Sequence, residues 1–248
     1  MESFFRFSLL SKYPEVIHGV SGRSYGNMSF YRGDQEKVAK NREQFFSELE
    51  IPLDSIVVPE MIHGSKVVSV QESERGRGAG ESQNDITGAD GLVTKEKGLF
   101  LMVTSADCFS VFAYDPVAAV VGLAHCGWRG LVTGIISNLV FELEKNNSQR
   151  ENFLMGIGPG ICQKHFVVKN EVLKQFLSSY PAATFVRNKD GYVDLRKAIL
   201  GDLIKYKVPK QNIEVSPICP VCQNGYFGSH RSEGDRAPIS AGVIGIKR

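Results

Sequence analysis

Apolar residues along this chain fall into two rhythms. Over residues 35–50 they recur at helical spacing, with Val38, Arg42, Phe45, Phe46 and Leu49 on one side. Leu131, Ile135, Leu139 and Leu143 stand four apart with Val132, Ile136 and Val140 beside them, which predicts one long helix burying a broad face. Residues 170–180 and 194–206 read as two further helices, the second with Asp194 placed to cap its start. Short apolar runs at 55–58, 66–70, 91–94, 110–114, 118–124 and 152–157 read as strands, and another closes the chain. An Asp115-Pro116 turn joins 110–114 to 118–124. Residues 72–87, rich in Glu, Gly, Arg and Ser, predict a polar loop and the most mobile segment. Strands and helices mix without strict alternation. The expectation is an α/β (α+β) domain over 1–248, with a mixed sheet or paired sheets and helices outside.

Composition narrows the function classes. The 248 residues are 42% hydrophobic and 23% charged, ordinary for a globular chain able to bury a real core. A net charge of +2, with Lys and Arg dispersed, gives no footprint for nucleic acid. No run approaches the length of about 18 apolar residues that a membrane span needs. The start, MESFFRFSLLSKYPEV, lacks the pattern of a secretory signal. Five cysteines, an odd number, suggest free thiols in a reducing compartment, so the cytoplasm is expected.

The stretch TSADCFSVFAYDPVAAVVGLAHCGWRG carries the chemistry. It sets Cys108 and His125 at the ends of two buried runs, and a charged imidazole there is costly without a partner or a metal. His63, in MIHGSKVV directly before a glycine and a strand, completes a trio. Cys, His and His can form a three-ligand zinc set with a fourth position open, the catalytic arrangement. The same residues can instead be a thiolate nucleophile with a histidine base. Spacing does not separate the two.

Other residues attach to one or the other reading. Asp107 can orient a histidine or cap a turn. Arg129, between Gly127 and Gly130 at a helix start, suits an anion through its bidentate fork and the free amides nearby. Trp128 reads as packing. The GIGPGI turn at 156–161 is weak evidence for phosphate, since Pro159 removes a donor. Cys219 and Cys222 form a CxxC for which the sequence offers no second cysteine pair, with Cys126 and Cys162 standing alone; the motif is expected to be dispensable for catalysis. Ser229, His230, Arg231 and Arg236 lie in what reads as a loop before the last strand and can contact substrate.

Taken together, IHG (62–64), ADGLVT (89–94), TSADCFSVFAYDP (104–116), AHCGWRG (124–130), GIGPGI (156–161) and SHR (229–231) resemble the YfiH/laccase-domain family. They run in family order, and NMS (27–29) and NR (41–42) fit as well. The resemblance implies a four-layer α/β/β/α fold with mixed sheets and a zinc site on His63, Cys108 and His125. It further implies phosphorolysis of inosine, adenosine or methylthioadenosine with adenosine deamination alongside. Purine nucleosides and phosphate are then the partners, with Arg129, Ser229 and Arg231 as candidate contacts. A cysteine hydrolase or deamidase using a Cys108/His125 pair is the alternative, because bacterial toxin deamidases share the fold. A non-catalytic metal-binding module is a third reading.

The chain departs from the family pattern in three places. Met61 stands where Gln is usual. Lys164, His165 and Phe166 replace Cys-Cys-Tyr. Ser229, His230, Arg231 and Ser232 replace Ser-Tyr-Arg-Arg. The family's older name, multicopper polyphenol oxidase, implies many His-x-His pairs. Five histidines and no such pair argue against laccase chemistry, although copper can occupy a Cys/His site adventitiously.

Overall fold

Period-two alternation in which both faces are apolar means a strand covered on both sides, and most of the strands here have that character. The computed structural model describes residues 3–80, 84–188 and 190–248. In chain order the strands are β1 (Phe4–Phe5), β2 (Val16–Ser21), β3 (Ile56–Val57), β4 (Val67–Ser69), β5 (Gly91–Thr94), β6 (Phe100–Ser105) and β7 (Phe109–Asp115). They continue with β8 (Val120–Cys126), β9 (Leu154–Ile157), β10 (Val167–Val168), β11 (Thr184–Arg187), β12 (Asp190–Val193), β13 (Ile213–Val215) and β14 (Ser240–Ile246). The helices are α1 (Gln35–Glu48), α2 (Trp128–Val132), α3 (Ile135–Lys145), α4 (Asn170–Ser179), α5 (Leu195–Lys205) and α6 (His230–Glu233).

Two large mixed sheets result, ordered β1-β2-β14-β6-β3 and β13-β9-β7-β8-β5-β4, with a small β10-β12-β11 sheet beside them. Alternation assigns each face. On β6, Leu101 and Val103 join Phe112, Tyr114, Val121 and Leu123 of the other sheet in a core between the two. Phe100 and Met102 point the opposite way, onto Phe45 and Phe46 of α1. Val111 and Ala113 of β7 turn toward Leu139 and Leu143 of α3 and Ile199 and Leu203 of α5. The layers are therefore helix, sheet, sheet, helix, as the family resemblance implies.

Two helices match their signals closely. Asp34 caps α1 by accepting from the Glu36 and Lys37 amides, and Asp194 caps α5 by accepting from the Lys197 amide. The long helix expected from residue 131 onward is instead two. Gly134 takes φ +96, a left-handed conformation that side chains resist, and separates α2 from α3. The expected loop before the last strand contains α6, capped by the Ser229 hydroxyl. Of the expected polar loop 72–87, residues 81–83 lie outside the described residues. The described part is anchored: the buried Arg42 guanidinium donates to the Gly78 and Ala79 carbonyls at 2.7 and 2.8 Å. Arg42 also donates to the Met28 carbonyl, and Asn41 to that of Asn27. That is the physical link between the NR and NMS motifs. No helix among the described residues is long and apolar enough to cross a membrane.

His18 on β2 gives the fold a pH signature. It is buried and its Nε2 accepts the Phe7 amide at 3.0 Å. Burial pushes its imidazole down from 6.5 to about 4. The unfolded chain therefore binds a proton between those values that the fold refuses, and stability must rise with pH across that window. The full effect of one such group is about 3 kcal/mol. His18→Gln, which keeps an acceptor but does not titrate, should flatten the dependence of denaturant unfolding free energy on pH from 4 to 6.5. Parallel pH curves for variant and wild type would refute this assignment.

Candidate functional site

The antiparallel hairpin β7–β8 pairs Phe109 with Cys126 and Ser110 with His125, so Cys108 and His125 leave the sheet at the same end. Alternation on β8 points His125 away from the helix layer. Its neighbour Cys126 points into that layer, buried, with burial raising its thiol pKa well above the ordinary value. His63 enters from the loop after β3 with φ +60. Its ring meets that of His125 edge-on at 4.8 Å. One ligand atom from each of His63, Cys108 and His125 lies within 4.8 Å of the others, close enough to share one ion. Gly127 sits against all three. A Cβ there would come 3.1 Å from Cys108 Sγ, 3.4 Å from His63 Cδ2 and 3.8 Å from His125 Cε1. The glycine leaves the space in which the donors converge. Three soft or borderline donors with room for a fourth partner suit zinc.

Asp90, just before β5, orders the trio. Its Oδ1 faces His125 Nδ1 at 3.1 Å, its Oδ2 accepts the Gly64 amide at 2.7 Å, and its backbone carbonyl accepts the His125 amide at 2.7 Å. A carboxylate on Nδ1 turns the other ring nitrogen outward, the arrangement by which outer carboxylates fix ligating histidines. In the sequence, ADG stands only as part of a motif, with no role apparent for Asp90. A buried acid between two strands, where few acids sit unpaired, was the signal available.

Burial would push the Cys108 thiol up. His125 and then His63 outweigh it and bring the thiol down to about 6. Burial likewise pulls His125 down, but the facing Cys108 and Asp90 raise it to about 9. The two shifts are mutual, each side chain favouring the charged form of the other.

A cavity of about 550 Å3 opens over these groups, within the range of small-molecule sites. Trp128, Ile161 and Phe166 supply apolar wall, Glu60, Arg32 and Arg231 supply charge, and His230 lies among them. Trp128 both packs on the helix-layer core and lines the cavity. Arg231 is the one of the three expected anion contacts that lines it; its guanidinium also donates to the His165 and Val167 carbonyls at 2.5 and 3.3 Å. Arg129 is exposed, lies over the Trp128 ring at 4.4 Å and is not part of the lining. Ser229 is buried and donates to Asp107 Oδ1 at 2.7 Å.

Asp107 caps a turn rather than orienting a histidine, since its Oδ2 takes the Arg231 amide at 2.7 Å. The turn amides of GIGPGI are engaged within the chain, Gly158 to Ser110, Gly160 to Ile218 and Ile161 to Asp107, so they offer no phosphate cradle. Met61 turns its sulfur to the Thr104 amide at 3.1 Å. The CxxC is not isolated. Cys162 and His165 lie beside Cys219 and Cys222, a convergence that sequence spacing concealed.

The profile of the family described as multi-copper polyphenol oxidoreductase laccase matches residues 16–247. The chain belongs to this family. Relatives in it carry other names. Purine nucleoside phosphorylase YlmD of Geobacillus stearothermophilus is 32% identical over 214 residues, 84% of this chain and 78% of that protein. Adenosine deaminase RL5, from an unknown prokaryotic organism, is 31% identical over 224 residues, 88% of this chain and 86% of that one. The crystal structure of Geobacillus stearothermophilus YlmD superposes with a TM-score of 0.92 at 28% identity, covering 100% of this chain and 97% of that one. A Bacillus licheniformis protein, YfiH, gives 0.91 at 26% identity with full coverage of both chains. YlmD and YfiH thus share this fold, and the names of the two relatives point to nucleoside chemistry.

In metal-stripped protein the thiolate at Cys108 should persist to low pH. Its alkylation by iodoacetamide, followed by peptide mass, should fall off with a midpoint near 6. His125→Asn should move that midpoint upward. An unshifted midpoint in the variant would separate the two side chains.

Proposed function

We propose that this protein is a zinc-dependent purine nucleoside phosphorylase, acting on inosine, adenosine or methylthioadenosine, with accompanying adenosine deaminase activity in the same cavity. The observation that carries the reading is the convergence of His63, Cys108 and His125, backed by Asp90, on a cavity of nucleoside size. The names of the relatives supply the substrate class.

His63, Cys108 and His125 would hold the ion. Zinc bound there supplies a Lewis acid that lowers the pKa of a water toward about 7. Asp90 holds His125 in one tautomer and orientation, so the ligand nitrogen is fixed before substrate arrives. Trp128 and Phe166 offer flat apolar surface to a purine. Arg231 donates to one face of the cavity and is better placed than Arg129 to meet phosphate, because it lines the cavity. Buried Ser229 acts through Asp107 to fix the start of α6 and hence Arg231. Copper at the same donors would be an adventitious occupant.

The cysteine hydrolase reading rests on the depressed Cys108 thiol paired with His125. The third donor, His63, against the same sulfur favours metal binding, since a nucleophile–base pair needs no second imidazole. A substrate-derived adduct on Cys108 in intact mass would support the hydrolase instead.

Purified protein supplied with inosine and phosphate should release hypoxanthine and ribose 1-phosphate, and adenosine alone should give inosine. Cys108→Ala should lower both rates by more than roughly 100-fold, since a ligand matters at least as much as the outer partners whose loss costs 10–100-fold. Arg231→Ala should raise the KM for phosphate with deamination largely spared. Undiminished turnover in folded Cys108→Ala would remove the metal from the reaction.

A further inference from the structure

A second donor cluster lies outside the site described above. β9 and β13 are adjacent parallel strands, with Met155 paired to Ile213 and Ile157 to Val215. Parallel neighbours send their following loops off the same end of the sheet. The loop after β9 carries Cys162-x-x-His165 and the loop after β13 carries Cys219-x-x-Cys222. Their four ligand atoms all lie within 4.8 Å of one another.

The separations have the dimensions of a coordination shell. A tetrahedral zinc with Zn–S of ~2.3 Å and Zn–N of ~2.0 Å implies S···S edges of ~3.8 Å and S···N edges of ~3.5 Å. Cys162 Sγ and Cys222 Sγ are 3.9 Å apart. His165 Nδ1 stands 3.4 Å from Cys162 Sγ, 3.7 Å from Cys219 Sγ and 3.5 Å from Cys222 Sγ. A disulfide requires about 2.05 Å, and hydrophobic packing would not bring three sulfurs onto one ring nitrogen. Cys219 is buried, Cys162 and His165 are half-buried and Cys222 is exposed, so a metal there would be held from the protein side with one thiolate at the surface.

We propose that Cys162, His165, Cys219 and Cys222 form a second, structural zinc site of the Cys3His class. Four protein donors fill the tetrahedron, so no position is left for water or substrate, which marks a structural rather than a catalytic centre. Its position gives it a task. His165 and Val167, on either side of cavity-lining Phe166, accept from the Arg231 guanidinium. The Gly160 amide and Arg196 both donate to the Ile218 carbonyl, one residue before Cys219. Zinc here would cross-link the loop that carries Ile161 and Phe166 to the loop after β13 and steady one wall of the cavity.

Zinc content of protein purified from zinc-supplemented medium without chelator tests this. Wild type should hold two equivalents, and Cys108→Ala and the Cys219→Ser, Cys222→Ser double variant one each. If the double variant does not fold, cobalt reconstitution of wild type and Cys108→Ala keeps the test open. Thiolate-to-cobalt charge transfer should have the intensity of four thiolates in wild type and of three in Cys108→Ala. One equivalent in wild type that vanishes in Cys108→Ala overturns the second site. So does a Cys162–Cys222 disulfide in zinc-supplemented wild type, seen as a 2 Da deficit in unreduced intact mass. Two equivalents retained in Cys108→Ala would overturn the first site's ligand set and leave the second standing.

Discussion

The carboxylate of Asp90 is the constraint on which the rest of this structure depends. A fully buried charge is tolerated only when it is hydrogen-bonded throughout, and here both oxygens are engaged. The same residue's amide donates to the Lys66 carbonyl and its carbonyl accepts from His125. One position therefore ties the His63 loop, β5 and β8 together. The three donor side chains come from two segments, the loop that carries His63 and the β7–β8 hairpin that carries Cys108 and His125. They can converge only if the junction between them is rigid, and Asp90 is that junction.

The layered fold makes such a junction possible. With sheet faces covered by helices or by the other sheet, side chains have room to gather at strand ends, where the β7–β8 hairpin places Cys108 and His125. The helices and sheet cores fix the backbone there. The cavity lining also carries Met61, Phe166 and His230, three of the residues in which this chain departs from the family pattern. A shared scaffold with altered walls is how one fold accommodates different substrates. The copper in the family's description finds little in the composition to support it, and the phosphorylase and deaminase names of relatives agree better with a Cys/His/His site.

Much of this was legible in the sequence where the signal is local. Asp194 caps α5 because capping needs only a side chain and the next three amides. Val38, Arg42, Phe45 and Phe46 are buried together because helical spacing alone puts them on one face. Apolar spacing continues across Gly134 and so predicts a single long helix after residue 130, and only the glycine's backbone angle reveals the break. β2 went unread because His18 and Gly19 interrupt its apolar run. Nonlocal facts were harder. Asp90 is an ordinary acid until β5 and β8 pair, and Cys162 and His165 meet Cys219 and Cys222 only because β9 and β13 run parallel. Arg129 stands at a helix start, where an anion contact is expected, but its guanidinium lies over the Trp128 ring and it does not line the cavity.

The central claim is that Asp90 organises the His63, Cys108 and His125 donors. Asp90→Asn keeps the size of the side chain but replaces an acceptor by a donor facing either Gly64 or His125. Zinc affinity of this variant, measured by chelator competition in the Cys219→Ser, Cys222→Ser background so that only one donor set is counted, tests the claim directly. The account predicts a folded protein whose affinity is weaker by about 10–100-fold, the usual cost of losing a histidine's carboxylate partner. Unchanged affinity in a folded variant would contradict it.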